Sequence, residues 1–469
     1  MSKKSNKNIT RKEALKKIIF STILLLLLTT SNYSQTFISN YSPAGGGAAR
    51  GSYVDGNYCY TSFSISFNGI KIIDISDKSN PTEVGSIQSS SETYNTQIIG
   101  NNLFFSNMGD GVKIYNISNP LSPSLVNTVD TNTDAGGNWQ SLAMGINVEG
   151  NYLYVANFKN GENFLVYDAT DLNNITKLDG IHIGDEARKV DVSGNYAYVA
   201  NRHNGLKIID ISDKSNISVS TTYDPGEVRG VSVNGNYAYL ACGNDGLKIL
   251  DVTTPSSPNL IGSYNTDGYS EDITYDNEKV YISDSSNGMV IIDVSNANSP
   301  SLLGTYDSPD SAQSTFVSDG TAYVGDFNGG LQIVSVPVTI NSDTTLVSDK
   351  TYEDLTIESG TILTIDSNAS LNISGTLTNN GSIIMNSASN EFPSLIASSV
   401  SGSGTYTYNR FVAGTNTFDI ISAPFTGQTF SSLISDNSGV IFDTNASVNQ
   451  YLFGHFNNND GVYENYIND

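Results

Sequence analysis

The sequence predicts an all-β protein, and three observations carry that prediction. Among 469 residues there are 42 Gly and 27 Tyr, and charged residues make up only 15%, a composition rich in strand and turn formers and poor in helix formers. One phrase recurs along the chain: GLKIIDIS at 205–212, GLKILDVT at 246–253, GMVIIDVS at 288–295, GIKIIDIS at 69–76 and GVKIYNIS at 111–118. A looser copy ends at Asp168 and a last one at Ser335, so the positions 74, 116, 168, 210, 251, 293 and 335 are spaced by 42, 52, 42, 41, 42 and 42. The third observation is turn chemistry. Asn-Gly or Asp-Gly pairs sit at 68–69, 110–111, 204–205 and 287–288, where a chain needs positive φ to return as an antiparallel neighbour.

The first 34 residues read as a targeting segment. Seven basic residues lie between Lys3 and Lys17, followed by the apolar run Ile18–Leu28 and then small and polar residues up to Gln35. A run of 11 is too short to span ~30 Å of hydrocarbon, so a secretory signal cleaved before Gln35 is expected. No later stretch is suited to crossing a membrane. Removing residues 1–34 leaves 16 basic against 46 acidic residues, a net charge of about −30 compared with −24 for the whole chain. Such a surface repels nucleic acid and anionic lipid. Cys59 and Cys242 fall in strands of distant repeats, so two buried free thiols are expected.

Residues 35–337 are expected to form a seven-bladed β-propeller. Each repeat reads as four strands, in the fifth Arg229–Val233, Tyr237–Ala241, Leu247–Val252 and Asn259–Tyr264. Pro81, Pro123, Pro258 and Pro300 open fourth strands, where an edge position tolerates the missing N–H. The seventh repeat has only three strands before Pro337. The N-terminal fragment Thr36–Tyr41 matches the fourth strand Asn259–Tyr264, so it is expected to complete the last blade and close the ring.

At these third strands the chain resembles the LVIVD-repeat family, with Met289-Val290-Ile291-Ile292-Asp293 nearest to its signature and Lys at the second position of the other copies. The resemblance covers about residues 36–336. It implies an exported or surface-exposed bacterial propeller and brings no catalytic residues to carry over. Beyond Pro337, residues 338–400 show apolar alternation with a turn every few positions, which suggests a short β-solenoid-like segment. Residues 401–469 carry further strand-like runs and are expected to be a partial β-rich module that continues past Asp469. This tail resembles C-terminal modules of flavobacterial surface proteins exported by the type IX system.

Propeller geometry says which residues converge. Fourth-to-first and second-to-third connections share one face, and first strands start there beside the channel. Aligned on Arg229, the same position holds Arg50, Asn95, Met144, Arg188, Glu271 and Gln313. Arginines in so acidic a chain suit a carboxylate or phosphate, and the alternative is that Glu271 pairs with Arg229 to hold blades together. His203 lies on the same face. The third repeat is ten residues longer, with Asp130, Asn132 and Asp134 spaced as at the start of a calcium-binding loop. Ala135 and Ser141 depart from that pattern, and a polar loop without metal is the alternative. Trp139, the single tryptophan, is either a stacking platform for a sugar ring or an anchor of its loop.

No nucleophile elbow, phosphate loop or metalloprotease motif appears in a suitable setting. The expectation is a secreted or surface-attached, non-enzymatic scaffold that offers one face to a glycan, an anionic small ligand or a surface protein. The expected site comprises Arg50, Arg188, Arg229, Glu271, His203 and Trp139, with no cofactor unless calcium occupies the loop. A polysaccharide-degrading enzyme using the same face and a purely structural protein are the alternatives.

Overall fold

Each of the first six repeats forms one four-stranded antiparallel sheet whose strands pair in chain order. In the fifth they are Gly230–Asn234, Tyr237–Ala241, Leu247–Asp251 and Asn259–Tyr264. Gly246 precedes the third strand at φ 71°, and a Cβ there would lie 2.4 Å from the Tyr264 carbonyl oxygen of the adjoining strand. Glycine alone accepts both the left-handed backbone and that approach. The Asp that ends the third strand caps the following turn: Asp74 Oδ1 accepts the Ser76 N–H at 2.8 Å, Asp210 that of Ser212 at 2.9 Å and Asp293 that of Ser295 at 2.8 Å. Pro81, Pro123, Pro258 and Pro300 each stand immediately before a fourth strand. The computed structural model describes residues 35–409, apart from 45, 65–66, 132–141, 159–160, 185 and 389–392, together with the strands Phe453–Asn457 and Val462–Tyr466. The targeting segment expected at residues 1–34 and most of the module expected at 401–469 lie outside the described residues.

The seven sheets stand as blades round a central channel, with the first strands Ala48–Asp55, Thr93–Ile99, Leu142–Glu149, Lys189–Ser193, Gly230–Asn234, Asp272–Asp276 and Ala312–Ser318 innermost and adjacent in a closed order. Blade seven takes its outer strand from the other end of the propeller, as Thr36–Tyr41 pairs antiparallel with Gly330–Ser335. Register confirms the equivalence. In blade five Leu260 faces Leu250 and Gly262 faces Ile249, leaving Ile261 as an extra residue. In blade seven Phe37 faces Val334 and Ser39 faces Ile333, leaving Ile38 extra at the same place. The N-terminal strand therefore reproduces the β-bulge of the other fourth strands.

Apolar cores lie between blades, sheet against sheet. The closing interface buries Cys59, Ile73 and Ile75 of blade one against Tyr323, Leu331 and Ile333 of blade seven, with Ile38 and Tyr41 packed on them. Each fully buried Leu or Ile contributes ~1.5–3 kcal/mol relative to exposure, so burial holds the seam together as well as the strand pairing does. Both thiols are free and buried, and burial pushes each up to about 12.

Beyond Pro337 the pairing becomes parallel. Val338–Ile340, Leu355–Ile357 and Ser370–Asn379 stack in one sheet, and Thr344–Leu346, Ile362–Ile365, Ser382–Asn386 and Thr405–Asn409 in a second. Leu355, Ile357, Leu363, Ile365, Leu371, Ile373, Leu377 and Ile383 fill the space between them. Thr405–Asn409 therefore stacks with this solenoid rather than with the module expected from residue 401. The solenoid is tied to the propeller by Thr36 Oγ1, which donates to Glu353 at 2.6 Å, by Lys350 with Asp319 at 2.7 Å and by Asn341 with Glu278 at 2.7 Å.

Deleting Thr36–Tyr41 leaves Gly330–Ser335 as an open edge and uncovers the seam. The expected cost is several kcal/mol, which at ~2–4 °C per kcal/mol lowers the melting temperature by on the order of 10 °C. Calorimetry checks this, and adding the peptide TFISNY in trans should recover part of the loss.

Candidate functional site: a basic funnel on the propeller axis

All seven aligned positions line one funnel of about 500 Å³ at the face where first strands begin. Arg50, Asn95, Met144, Arg188, Arg229, Glu271 and Gln313 are joined there by Tyr94, Lys189 and Asp272. The local backbone explains the convergence. In blades one, three and seven the register slips between Ala49 and Gly51, Ala143 and Gly145, and Ala312 and Ser314, so Arg50, Met144 and Gln313 are the extra residues of β-bulges. A bulge re-aims one side chain, here toward the axis.

The blade-five side of the funnel is fully paired. Arg229 is 8% exposed, and its Nε and Nη2 donate to Glu271 Oε2 at 2.7 and 2.5 Å. Its Nη1 reaches Glu227 Oε1 at 2.9 Å and Tyr269 Oη at 3.0 Å. Arg202 extends the network to Glu227 at 3.0 Å and Glu186 at 2.8 Å. The Arg229–Glu271 pairing between blades thus exists, and this arginine has little left to offer a ligand.

Arg188 and Arg50 differ. Among the described residues Arg188 makes a single ionic contact, Nη2 to Glu271 Oε2 at 3.8 Å, with an oxygen that Arg229 already holds. Burial and the charge of Arg229 both lower its pKa, while Glu271 opposes them. Arg50 has neutral partners: Nη1 donates to Gln313 Oε1 at 2.9 Å and Nε to Ser64 Oγ at 3.2 Å, with the guanidinium 5.0 Å from the Tyr94 ring centroid and 4.7 Å from that of Phe327. Lys189 pairs with Asp272 and donates to the Ile273 carbonyl at 3.1 Å, spanning from blade four to blade six. Four cationic and two anionic side chains therefore line the funnel, a net +2 in a chain whose formal charge is −24.

Below the funnel the channel continues as a second cavity. It shares Arg50, Asn95, Lys189 and Asp272 with the mouth and is lined deeper by residues such as Thr96, Gln97, Asn147, Asp191 and Ser314. Several of these brace neighbouring blades. Gln97 bonds both the N–H and the carbonyl of Val148 at 2.7 and 3.1 Å. Asp191 accepts from Asn147 at 3.2 Å, from its neighbour Val192 N–H at 2.9 Å and from Val233 N–H at 2.7 Å. Thr96 Oγ1 and Ser314 Oγ are buried without a hydrogen-bond partner.

Other expected residues fall elsewhere. His203 is exposed on the turn between the second and third strands of blade four, 4.0 Å from Glu186 and outside the funnel lining. Asp130 is exposed, and its carbonyl accepts the Tyr167 hydroxyl at 3.2 Å. Asn132, Asp134 and Trp139 lie outside the described residues. Among the described residues no group of three or more His, Cys, Asp or Glu is placed to hold a metal.

Seven segments of the chain match the LVIVD repeat: 46–89, 93–131, 142–165, 184–224, 225–266, 267–308 and 309–350, more than half of its length. The chain belongs to the LVIVD-repeat family. The last LVIVD match runs past Pro337, whereas the seventh blade draws its fourth strand from Thr36–Tyr41, so repeat and blade are offset at the seam. No curated protein matches the chain. Among solved structures it is similar to the computationally designed Ika8 protein, at 11% identity over 64% of this chain and 98% of that one with a TM-score of 0.47. It is also similar to U3-55K, at 10% identity over 64% of this chain and 98% of that one with a TM-score of 0.52, a likeness of fold alone.

The rest of the LVIVD site had a signal in the sequence. Glu186, Glu227 and Tyr269 each stand two places before a ring residue, and Lys189 and Asp272 one place after, where three other blades have Gly51, Gly145 and Gly230. A comparison of columns, rather than of one position, finds them.

Burial raises the Glu227 carboxyl, but hydrogen bonds from Tyr269, Arg229 and Arg202 outweigh it and hold it down at about 2. An unfolded Glu titrates at ~4.3, so this group's contribution is whole above that pH and is lost as the pH falls toward 2. Glu227→Gln should therefore lower the melting temperature at pH 7, with the gap from the parent closing as the pH approaches 2 in a thermal-melt series.

Proposed function

We propose that this LVIVD propeller is an exported or cell-surface binding scaffold, without a catalytic role, whose funnel takes a small anion between Arg188 and Arg50. The observation that carries the reading is the state of Arg188: a half-buried guanidinium in a concave site, with one 3.8 Å contact to an oxygen already committed to another arginine. A half-buried cation left short of partners is costly, and a ligand carboxylate or phosphate would supply two charge-assisted hydrogen bonds. Arg50 supports it, because stacking and neutral hydrogen bonds fix its fork without neutralising its charge. The basic n-region and apolar run of residues 1–34 support export, and no helix among the described residues is long and apolar enough to cross a membrane.

The channel carboxylate best placed for acid–base chemistry speaks against an enzyme. Burial raises the Asp191 carboxyl, the kind of shift catalysis uses, but both its oxygens are engaged in bracing blades. A proton shuttle needs a free oxygen facing substrate.

Titration of the ¹⁵N-labelled protein with acetate and with inorganic phosphate, read on the arginine Nε–Hε resonances, tests the reading. Saturable shifts in the millimolar range are expected, absent in Arg188→Ala and weakened in Arg50→Ala, with the melting temperature of Arg188→Ala within a few degrees of the parent. An Arg188→Ala titration indistinguishable from the parent's would sink it.

A further inference from the structure

We infer that the ligand class of this funnel is a sugar acid: a terminal uronic acid residue that enters end-on along the axis. This rests on the anion reading above and goes beyond it, because the remaining vacant polar atoms ask for hydroxyl groups. Among the described residues the contacts of Glu271 all fall on Oε2 and those of Asp272 on Oδ1, so Glu271 Oε1 and Asp272 Oδ2 remain as acceptors at the funnel wall. Asn95 Oδ1 accepts the Ile146 N–H at 3.3 Å, which leaves its Nδ2 as a donor. Just below, Thr96 Oγ1 is buried and unpartnered.

Charge then separates the ligand classes. A neutral sugar satisfies the two carboxylate oxygens and leaves Arg188 unpaired. A phosphate or a dicarboxylate pairs with Arg188 and Arg50, then sets a further negative charge against Glu271 and Asp272. A plain monocarboxylate uses the arginines alone and leaves the acceptors dry. A polyhydroxy monocarboxylate meets every group, with its acid on the guanidinium forks, hydroxyl donors on Glu271 and Asp272, and hydroxyl acceptors toward Asn95 and Thr96. Met144, the one aliphatic side chain of the ring, offers a face for ring C–H groups. The site is encircled by all seven blades, so a polymer cannot lie across it at depth and a chain end is what fits.

The experiment compares galacturonate with acetate, galactose and methyl galacturonate ester by isothermal titration calorimetry on the whole protein. Galacturonate is expected to bind at least tenfold more tightly than acetate, with galactose and the ester weaker again. In Thr96→Val, an isosteric change that removes only the unpartnered hydroxyl, the galacturonate advantage should shrink while acetate binding stays as in the parent. Galacturonate no tighter than acetate overturns the sugar-acid inference and leaves the anion site standing. Galactose as tight as galacturonate overturns it too, and absence of both acetate and galacturonate binding overturns the anion site with it.

Discussion

Everything at the axis depends on the pairing of Thr36–Tyr41 with Gly330–Ser335. The first strands of neighbouring blades are not joined by a backbone ladder, since each sheet is complete in itself. The ring is therefore a circle of seven sheets with single backbone bridges between blades, such as the Val228 N–H to the Arg202 carbonyl and the Ala312 N–H to the Ser285 carbonyl, both at 2.9 Å, and a circle has no end from which to fray only while it is closed. The seam runs directly beside the funnel: the Arg50–Gln313 hydrogen bond crosses from blade one to blade seven. An open seam would separate two of the seven lining residues and release the guanidinium from its stack. The tie from Thr36 to Glu353 gives the closing strand a hold on the solenoid as well.

Between the other blades, side chains add to these single backbone bridges. Gln97 grips Val148, Asp191 grips Val233, and Ser62 and Ser106 donate to the Tyr94 and Met144 carbonyls at 2.8 and 2.6 Å. These bonds satisfy inner-strand groups that would otherwise face a narrow polar channel. They also fix the distance between blades, and with it the spacing of the ring side chains. The glycines of the inner strands serve the same end: a Cβ on Gly51 would lie 2.2 Å from the Tyr94 carbonyl oxygen, so blades one and two meet there backbone to backbone.

Much of this was legible because repetition turns one sequence into seven aligned ones. The phrase ending at Asp74, Asp210 and Asp293 located the third strands, and the match of Thr36–Tyr41 to Asn259–Tyr264 located the seam, down to a shared bulge. The funnel residues emerged from the same alignment. What could not be read was partnership. Nothing in the order of residues says that Arg229 is saturated and Arg188 is not, because that depends on Glu271 turning the same oxygen toward both. His203, placed on the correct face by its turn, misses the funnel because second-to-third turns lie farther from the axis than the starts of first strands.

The turn-capping aspartates have an electrostatic consequence. Hydrogen bonds from the Ser or Thr two positions on hold the Asp74, Asp77, Asp168, Asp210 and Asp251 carboxyls below their ordinary value, so they stay ionised well into acid. They follow third strands and so lie on the face opposite the funnel. These five carboxylates are thus a by-product of folding similar turns rather than a recognition surface. The face opposite the funnel therefore carries a recurring set of carboxylates that the turns themselves require, whatever the channel holds.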